Sequence, residues 1–462
     1  MESSVGNEHP AFWKVADDCL IRYSGGAPFI RRIIERADGV YLYDADGKRI
    51  IDFTSGQMSS ILGHSNPAIV SIIHRQVANL DHLFSGMLSR PVVDLASKLC
   101  DMLPPGLDKV QLLSTGGESN ECAIRVNDLS MFNFLRDFDE FQIAKMYTGK
   151  FEIVGLSNSW HGVTFAAASM TYQRTRKGYG PAAAGSLVLP TPNGYRSPFR
   201  NPDGTYDWKT ELDYGFSLVD AQSVGSLAAV IVEPILSSGG VIVLPPGYLR
   251  RLKEHCVMRG MLLIVDEAQT GVGRTGKNWA FEHDGVVPDI LTLSKTLGAG
   301  LPLSAVITSN EIEQVVHSLT THVSDPLPAA VGLQVLQMLE RDNLALQAER
   351  LGQRFRAFLL GLQTQYECIG EVRGMGLMQG MEIVKDRTTK EPDEALATAL
   401  SDRMLELGLS ANVLRIPGIG SSFRMAPPLT ITQDELDAGL AIIAEAFRTT
   451  PGANVMLAVH RH

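Results

Sequence analysis

The chain is poor in cysteine, short of positive charge and without a long apolar run. Its 462 residues include 5 cysteines: Cys19, Cys100, Cys122, Cys256 and Cys368. Their number is odd and none forms a Cys-x-x-Cys pair. A disulfide framework is therefore not expected, and a reducing compartment is the simpler reading. Lys and Arg total 41 against 51 Asp and Glu, for a net charge of -10. That balance argues against nucleic acid or an anionic membrane as the main partner. Any phosphate must be held locally, by backbone amides and a few side chains. No apolar stretch has the length of a membrane span, and the first ten residues lack the basic and apolar regions of a secretion signal. The acidic, Arg-poor start also fits a mitochondrial presequence poorly, so a cytoplasmic location is expected.

What is present is a length of two or three folding units and 43 glycines, many at strand-to-helix turns. Residues 1–60 read as an N-terminal segment, with a lead-in helix and two short strands around Asp46-Gly47. Residues 61–328 read as a large α/β domain. Its strand candidates are 110–113, 151–155, 227–232, 262–265, 290–293 and 305–308. These runs are continuous rather than alternating, as in strands buried on both faces, and predict a mostly parallel sheet. Residues 329–462 read as a smaller α+β C-terminal domain. Helical periodicity runs over 329–340 and 344–362, short strands are expected within 369–384 and at 423–426, and a capping box at Thr432 and Glu435 opens a last helix.

Two charged residues follow buried runs, where a charge is costly unless used. Lys295 follows 290–293 and Asp266 ends 261–265. Pyridoxal phosphate chemistry needs this pair: a lysine for the Schiff base, and an aspartate to keep the pyridine nitrogen protonated. The bland alternatives are a solvated loop lysine and a helix cap. Gly116 and Gly117 end a strand and open a helix, whose free amides and dipole suit a phosphate. Trp160 and His161 are either partners for a flat heterocycle or a core Trp and a satisfied His. Glu233 is either a structural cap or a ligand-facing group at the carboxyl edge of the sheet.

The span Ile264-Val-Asp-Glu-Ala-Gln-Thr-Gly-Val-Gly-Arg-Thr-Gly, with Pro288-Asp-Ile and Ser294-Lys295, resembles the signature of class III, fold-type I pyridoxal phosphate enzymes. Stretches at 52–59, 81–91, 233–240, 320–328 and 423–430 look more narrowly like the 2,2-dialkylglycine decarboxylases, and the likeness covers nearly the whole length. The resemblance implies that Lys295 is the Schiff-base lysine and proton shuttle and that Asp266 pairs with the pyridine nitrogen. It implies phosphate amides from Gly116 and Gly117, and a phosphate contact by Thr321 of a neighbouring subunit. Trp160 and His161 would lie at the ring, His161 stacking on it, with Gln269 at the ring hydroxyl and Glu233 nearby. Arg424 and Ser238 resemble substrate-carboxylate contacts. Gln57 replaces the apolar residue usual in ordinary aminotransferases. As a neutral donor it would hold the substrate carboxylate perpendicular to the ring, a pose that favours loss of carbon dioxide; the alternative is a loop cap.

The resemblance also implies an alkali-metal ion, K⁺ or Na⁺, held by Leu83, Ser85, Thr321, Val323 and Asp325. A second ion site would involve Cys100, Leu103, Pro104 and Leu107, but Leu103 replaces a hydroxyl residue there. Two departures from the family pattern stand out. Residues 127–142 are extra, either a surface insertion or a gene-model error. The stretch before Thr320 is shortened, which puts Thr321, Val323 and Asp325 in question. The expected activity is decarboxylation-dependent transamination of a 2,2-dialkylglycine with a 2-oxo acid such as pyruvate, in a homodimer or homotetramer. An ordinary ω-amino-acid or acylornithine-type aminotransferase is the second reading, and a catalytically silent scaffold the third.

Overall fold

The computed structural model describes residues 9–22, 29–124, 144–173, 176–314, 320–416 and 420–453. The extra stretch 127–142 lies outside the described residues.

All six apolar runs expected as strands are strands. They join Ser186–Leu189 in a seven-stranded sheet, in the order Lys109–Leu113, Ser304–Thr308, Ile290–Leu293, Leu262–Asp266, Leu227–Val232, Glu152–Leu156 and Ser186–Leu189. Ser304–Thr308 runs antiparallel to both neighbours, while the remaining pairs are parallel. The reversal follows from chain length. Only residues 294–303 connect Ile290–Leu293 to Ser304–Thr308, and they hold one short 3₁₀ turn, Lys295–Gly298. A parallel return needs a crossover of a dozen or more residues, so the chain folds straight back. Lys295 is thereby left at the carboxyl edge of the sheet. Asp266, Glu233, His161 and Gly116 follow other parallel strands and reach the same edge, where ligands of such sheets bind. This is the α/β, fold-type I architecture, with a large mostly parallel sheet.

Ser186–Leu189 has no clear signature in sequence. It is a four-residue edge strand, and Val188 is exposed, so it lacks the continuous apolar character of its neighbours.

The C-terminal unit packs the helices Pro326–Arg341, Leu344–Gln365, Glu394–Leu407 and Gln433–Thr449 around an antiparallel sheet. That sheet contains Ile369–Met375, Met378–Asp386, Gly420–Met425 and Asn412–Ile416. The expected capping box is present: Thr432 accepts from Glu435 N, and Glu435 accepts from Thr432 N. The N-terminal strands Ile34–Asp38, Tyr41–Asp44 and Arg49–Asp52 form a sheet whose fourth member, Leu409–Ser410, comes from the C-terminal unit. Phe53 packs on Phe355 at 5.5 Å, and Ala426 N donates to Phe53 O at 2.7 Å. Residues 50–60 are thus attached to the strand Gly420–Met425. Among the described residues no helix is long and apolar enough to cross a membrane.

Candidate active site

The carboxyl edge of the large sheet borders a cavity of about 350 Å³, lined by Gly116, Gly117, Asn120, Trp160, His161, Asp266, Ser294 and Lys295 among others. Four parallel strands deliver these residues, which explains how positions as far apart as Gly116 and Lys295 converge.

Asp266 is the most constrained of them. Its Oδ2 accepts from Asn120 Nδ2 at 2.7 Å and meets His161 Nδ1 at 2.8 Å, and its Oδ1 accepts from Ala268 N at 3.0 Å. Thr292 Oγ1 donates to Asn120 Oδ1 at 2.7 Å, and Asn120 Nδ2 also donates to His161 O at 2.8 Å. The Thr292–Asn120–Asp266 chain fixes the carboxylate from beneath. Asn120 and Thr292 belong to the site although sequence alone does not single them out. The available signal was a polar Thr inside the apolar run 290–293, since buried polar groups need partners.

Lys295 is held near Asp266 and Glu233. Burial lowers the pKa of its ammonium, Arg424 adds to that effect, and the two carboxylates oppose it. A lysine so placed gives up its proton more readily, as a Schiff-base amine must. Burial pushes the Glu233 carboxyl up to about 7; His161 and Lys295 pull it down, and Asp266 pushes it further up. Glu233 Oε1 also accepts from Trp160 N at 2.8 Å, so the carboxylate positions the Trp160-His161 pair from below.

Gly116 and Gly117 open the helix Gly116–Ile124. Amides in a first helical turn have no carbonyl a turn earlier to bond. The preceding amides of Ser114 and Thr115 donate instead to Glu118 Oε2, at 3.0 and 2.8 Å. A Cβ on Gly116 would lie 2.7 Å from Ser294 Oγ, so the backbone approaches Ser294 as only glycine permits.

Arg424, Ser238 and Gln57 form a second group. Arg424 Nη1 donates to Ser238 Oγ at 3.2 Å and Nη2 to Gln57 Oε1 at 3.0 Å. Burial lowers the Arg424 pKa to about 10, with Glu233 opposing. Gln57 lies in an unusual turn. Ser55, Gly56, Gln57 and Met58 have φ of 45°, 52°, 65° and 68°, one turn of left-handed backbone. For each non-glycine residue this costs roughly 1–2 kcal/mol. Strain of this kind collects at functional sites.

Gln269 is buried, and among the described residues its Oε1 has no hydrogen-bond partner; the same holds for His161 Nε2. Thr321 is exposed, on the loop with Asp325. The two loops assigned to an ion do lie together: Ser85 Oγ donates to Thr320 O at 2.8 Å. Both Asp325 oxygens are engaged, by His82 Nδ1 at 2.6 Å and His322 Nδ1 at 2.7 Å.

This geometry fits pyridoxal phosphate. The cavity offers a lysine of lowered pKa, a buried carboxylate held by three partners, a glycine-edged helix start and, at His161 Nε2, a buried polar atom with no partner among the described residues. The comparisons with known proteins agree. Residues 23–447 match the aminotransferase class-III family. The chain is similar to an uncharacterized aminotransferase of Schizosaccharomyces pombe, 51% identical, covering 97% of this chain and 98% of that one. It is also similar to a probable 4-aminobutyrate aminotransferase of Bacillus subtilis, 32% identical over 90% of this chain and 93% of that one. A thermostable (S)-enantioselective omega-transaminase from Thermomicrobium roseum superposes with a TM-score of 0.83 at 29% identity, covering 96% of this chain and 98% of that chain. The protein is a fold-type I enzyme, and it belongs to the class-III aminotransferase family, whose cofactor is pyridoxal phosphate and whose substrates are small amino acids and 2-oxo acids.

Proposed function

We propose that this class-III enzyme carries out decarboxylation-dependent transamination of 2,2-dialkylglycines such as 2-aminoisobutyrate, with pyruvate as amino acceptor. The observation that carries the reading is the Arg424–Gln57 hydrogen bond of 3.0 Å. An arginine can only donate, so Gln57 turns its oxygen to Arg424 and leaves its NH₂ as a neutral donor. Arg424 and Ser238 hold a carboxylate in one pose, and the Gln57 amide supports a second.

Bound pyridoxal phosphate supplies an electron sink for the broken Cα bond. The chain's residues do the rest. Lys295 would hold the cofactor through Nζ and afterwards carry a proton on that atom. Asp266, fixed by Asn120 and His161, would keep the pyridine nitrogen protonated. Gly116 and Gly117 would bind the phosphate, with Thr321 of a neighbouring subunit. Trp160, His161 and Gln269 would flank the ring. The Gln57 amide would hold the substrate carboxylate in the pose that favours its loss as carbon dioxide. An alkali ion at Leu83, Ser85, Thr321, Val323 and Asp325 would have to displace His82 and His322 from the Asp325 carboxylate. The site is completed in a homodimer or homotetramer.

The test mixes purified protein, pyridoxal phosphate, 2-aminoisobutyrate and pyruvate in K⁺ buffer. Equal amounts of carbon dioxide, acetone and alanine are expected. Amino transfer from alanine without carbon dioxide from 2-aminoisobutyrate leaves the ordinary aminotransferase, the reading favoured by the names of the relatives above.

A further inference from the structure

The left-handed turn Ser55–Met58 is anchored from both ends. Asp52, buried and at the end of its strand, accepts from Thr54 N at 2.8 Å and Thr54 Oγ1 at 2.6 Å through Oδ1. Its Oδ2 accepts from Gly56 N at 3.1 Å, inside the turn, and meets His64 Nε2 at 2.9 Å. On the other side, fully buried Ser55 donates from Oγ to Ala426 O at 2.5 Å. Ala426 lies two residues beyond Arg424, and its own N–H donates to Phe53 O at 2.7 Å. Met58 closes the turn, donating to Thr54 O at 2.8 Å, and packs with Ile235, Val241, Met378 and Ala426. Three of the four residues in this turn are not glycine, so local preference opposes the conformation. Something outside the turn must impose it, and what the turn delivers is Gln57 to Arg424.

We propose that Asp52 and Ser55 are positioning residues that hold the left-handed turn against its strain, so that the Gln57 amide and the Arg424 guanidinium keep one fixed arrangement toward the substrate carboxylate. Neither residue touches substrate. The bond from Ser55 to Ala426 O and the bond from Ala426 N to Phe53 O tie the turn to the strand that carries Arg424, so the two carboxylate-binding groups move as one body. The inference rests on the reading that Arg424 and Gln57 bind that carboxylate.

Two substitutions at Ser55 separate positioning from stability. Ser55→Ala removes the hydroxyl and keeps a side chain at positive φ. Ser55→Gly removes the hydroxyl and relieves the strain, because glycine adopts this region freely. Each holoenzyme variant, with Asp52→Asn and Arg424→Gln, is titrated with isobutyrate, a carboxylate without an amine, by calorimetry. Melting temperature and the ratio of carbon dioxide release to alanine amino transfer are measured alongside. Both Ser55 variants and Asp52→Asn are expected to lose isobutyrate affinity by about tenfold or more, as small misplacements do, while Ser55→Gly melts no lower than Ser55→Ala. An affinity that follows melting temperature across the Ser55 pair, or stays at the wild-type value in all three variants, overturns the proposal. If wild-type affinity for isobutyrate is unchanged by Arg424→Gln, the carboxylate-site reading itself fails, and the proposal with it.

Discussion

Arg424 Nη2 donates to Gln57 Oε1 at 3.0 Å across 367 residues of chain. The bond joins a strand of the C-terminal unit to a turn of the N-terminal segment. It also sets the amide orientation: Gln57 Oε1 faces a group that can only donate, so the free end of the amide is a donor. A donor of no net charge can hold a carboxylate without stabilising it as strongly as a cation would. Ground-state stabilisation slows a step that must expel that carboxylate.

Replacing Gln57 by Leu removes the donor and leaves one Arg424 nitrogen without its partner. Carbon dioxide release from 2-aminoisobutyrate is expected to fall by about 10- to 100-fold, a loss of roughly 1.4–2.7 kcal/mol at the transition state. Amino transfer between alanine and a 2-oxo acid, which relies on Arg424 and Ser238, is expected to fall much less. Steady-state rates on both substrates check the split. An equal loss on both would mean that Gln57 serves binding in general rather than the decarboxylating pose.

Asn120 gives a second prediction. Its amide bridges Thr292 Oγ1 and Asp266 Oδ2, in a place closed to water. Asn120→Ala takes one donor from Asp266 and leaves the Thr292 hydroxyl unpaired. Breaking such a buried bond costs about 1–3 kcal/mol. Weaker retention of pyridoxal phosphate and a lower melting temperature are expected, read by absorbance titration and calorimetry. Asn120→Asp should be worse, because two carboxylates in contact cannot both stay ionised.

The sheet and the C-terminal helices were legible in sequence because burial on both faces leaves long apolar runs, and packed helices leave a regular period. Lys295 and Asp266 stood out for the same reason, as charges next to such runs. Ser186–Leu189 was not legible, being short and half-exposed at the sheet edge. Nor was the left-handed turn at 55–58, since Ser, Gln and Met carry no preference for positive φ. The long-range bond from Ser55 to Ala426, with the local one that Asp52 accepts from Gly56, selects that conformation, and a contact between distant segments leaves no local mark. Asn120 was hidden for a related reason: its partners come from two strands far along the chain.

Gly116 tests the close approach at the start of its helix. A Cβ there would lie 2.7 Å from Ser294 Oγ and 3.3 Å from Ser294 Cβ. Gly116→Ala must therefore displace Ser294, the neighbour of Lys295, or shift the helix start. Affinity for pyridoxal phosphate is expected to fall by about tenfold, equivalent to roughly 1.4 kcal/mol, with both phosphate and lysine contacts disturbed. Gly117→Ala is the internal comparison, because its Cβ would make only ordinary contacts, with Thr164 at 3.5 Å and Thr115 at 3.9 Å. A smaller loss in that variant would show that the Ser294 contact, rather than helix geometry, sets the penalty.

Glu233 makes stability depend on pH. Burial raises its carboxyl from 4.5 to about 7 in the folded chain. Between those values the folded state binds more protons than the unfolded state, so stability falls as pH rises. The contribution is fully present below pH 4.5 and is lost by the time pH has passed about 7. Glu233→Gln carries a neutral side chain throughout and escapes this loss. The mutant should thus gain on the wild-type cofactor-free protein as pH goes from 5 to 8, by roughly 1–3 kcal/mol at about 1.4 kcal/mol per unit. Chemical denaturation at several pH values measures the difference, and the other titrating groups largely cancel because both proteins carry them. A constant gap between mutant and wild type would mean that Glu233 keeps an ordinary carboxylate pKa, and that Lys295 and His161 compensate its charge fully.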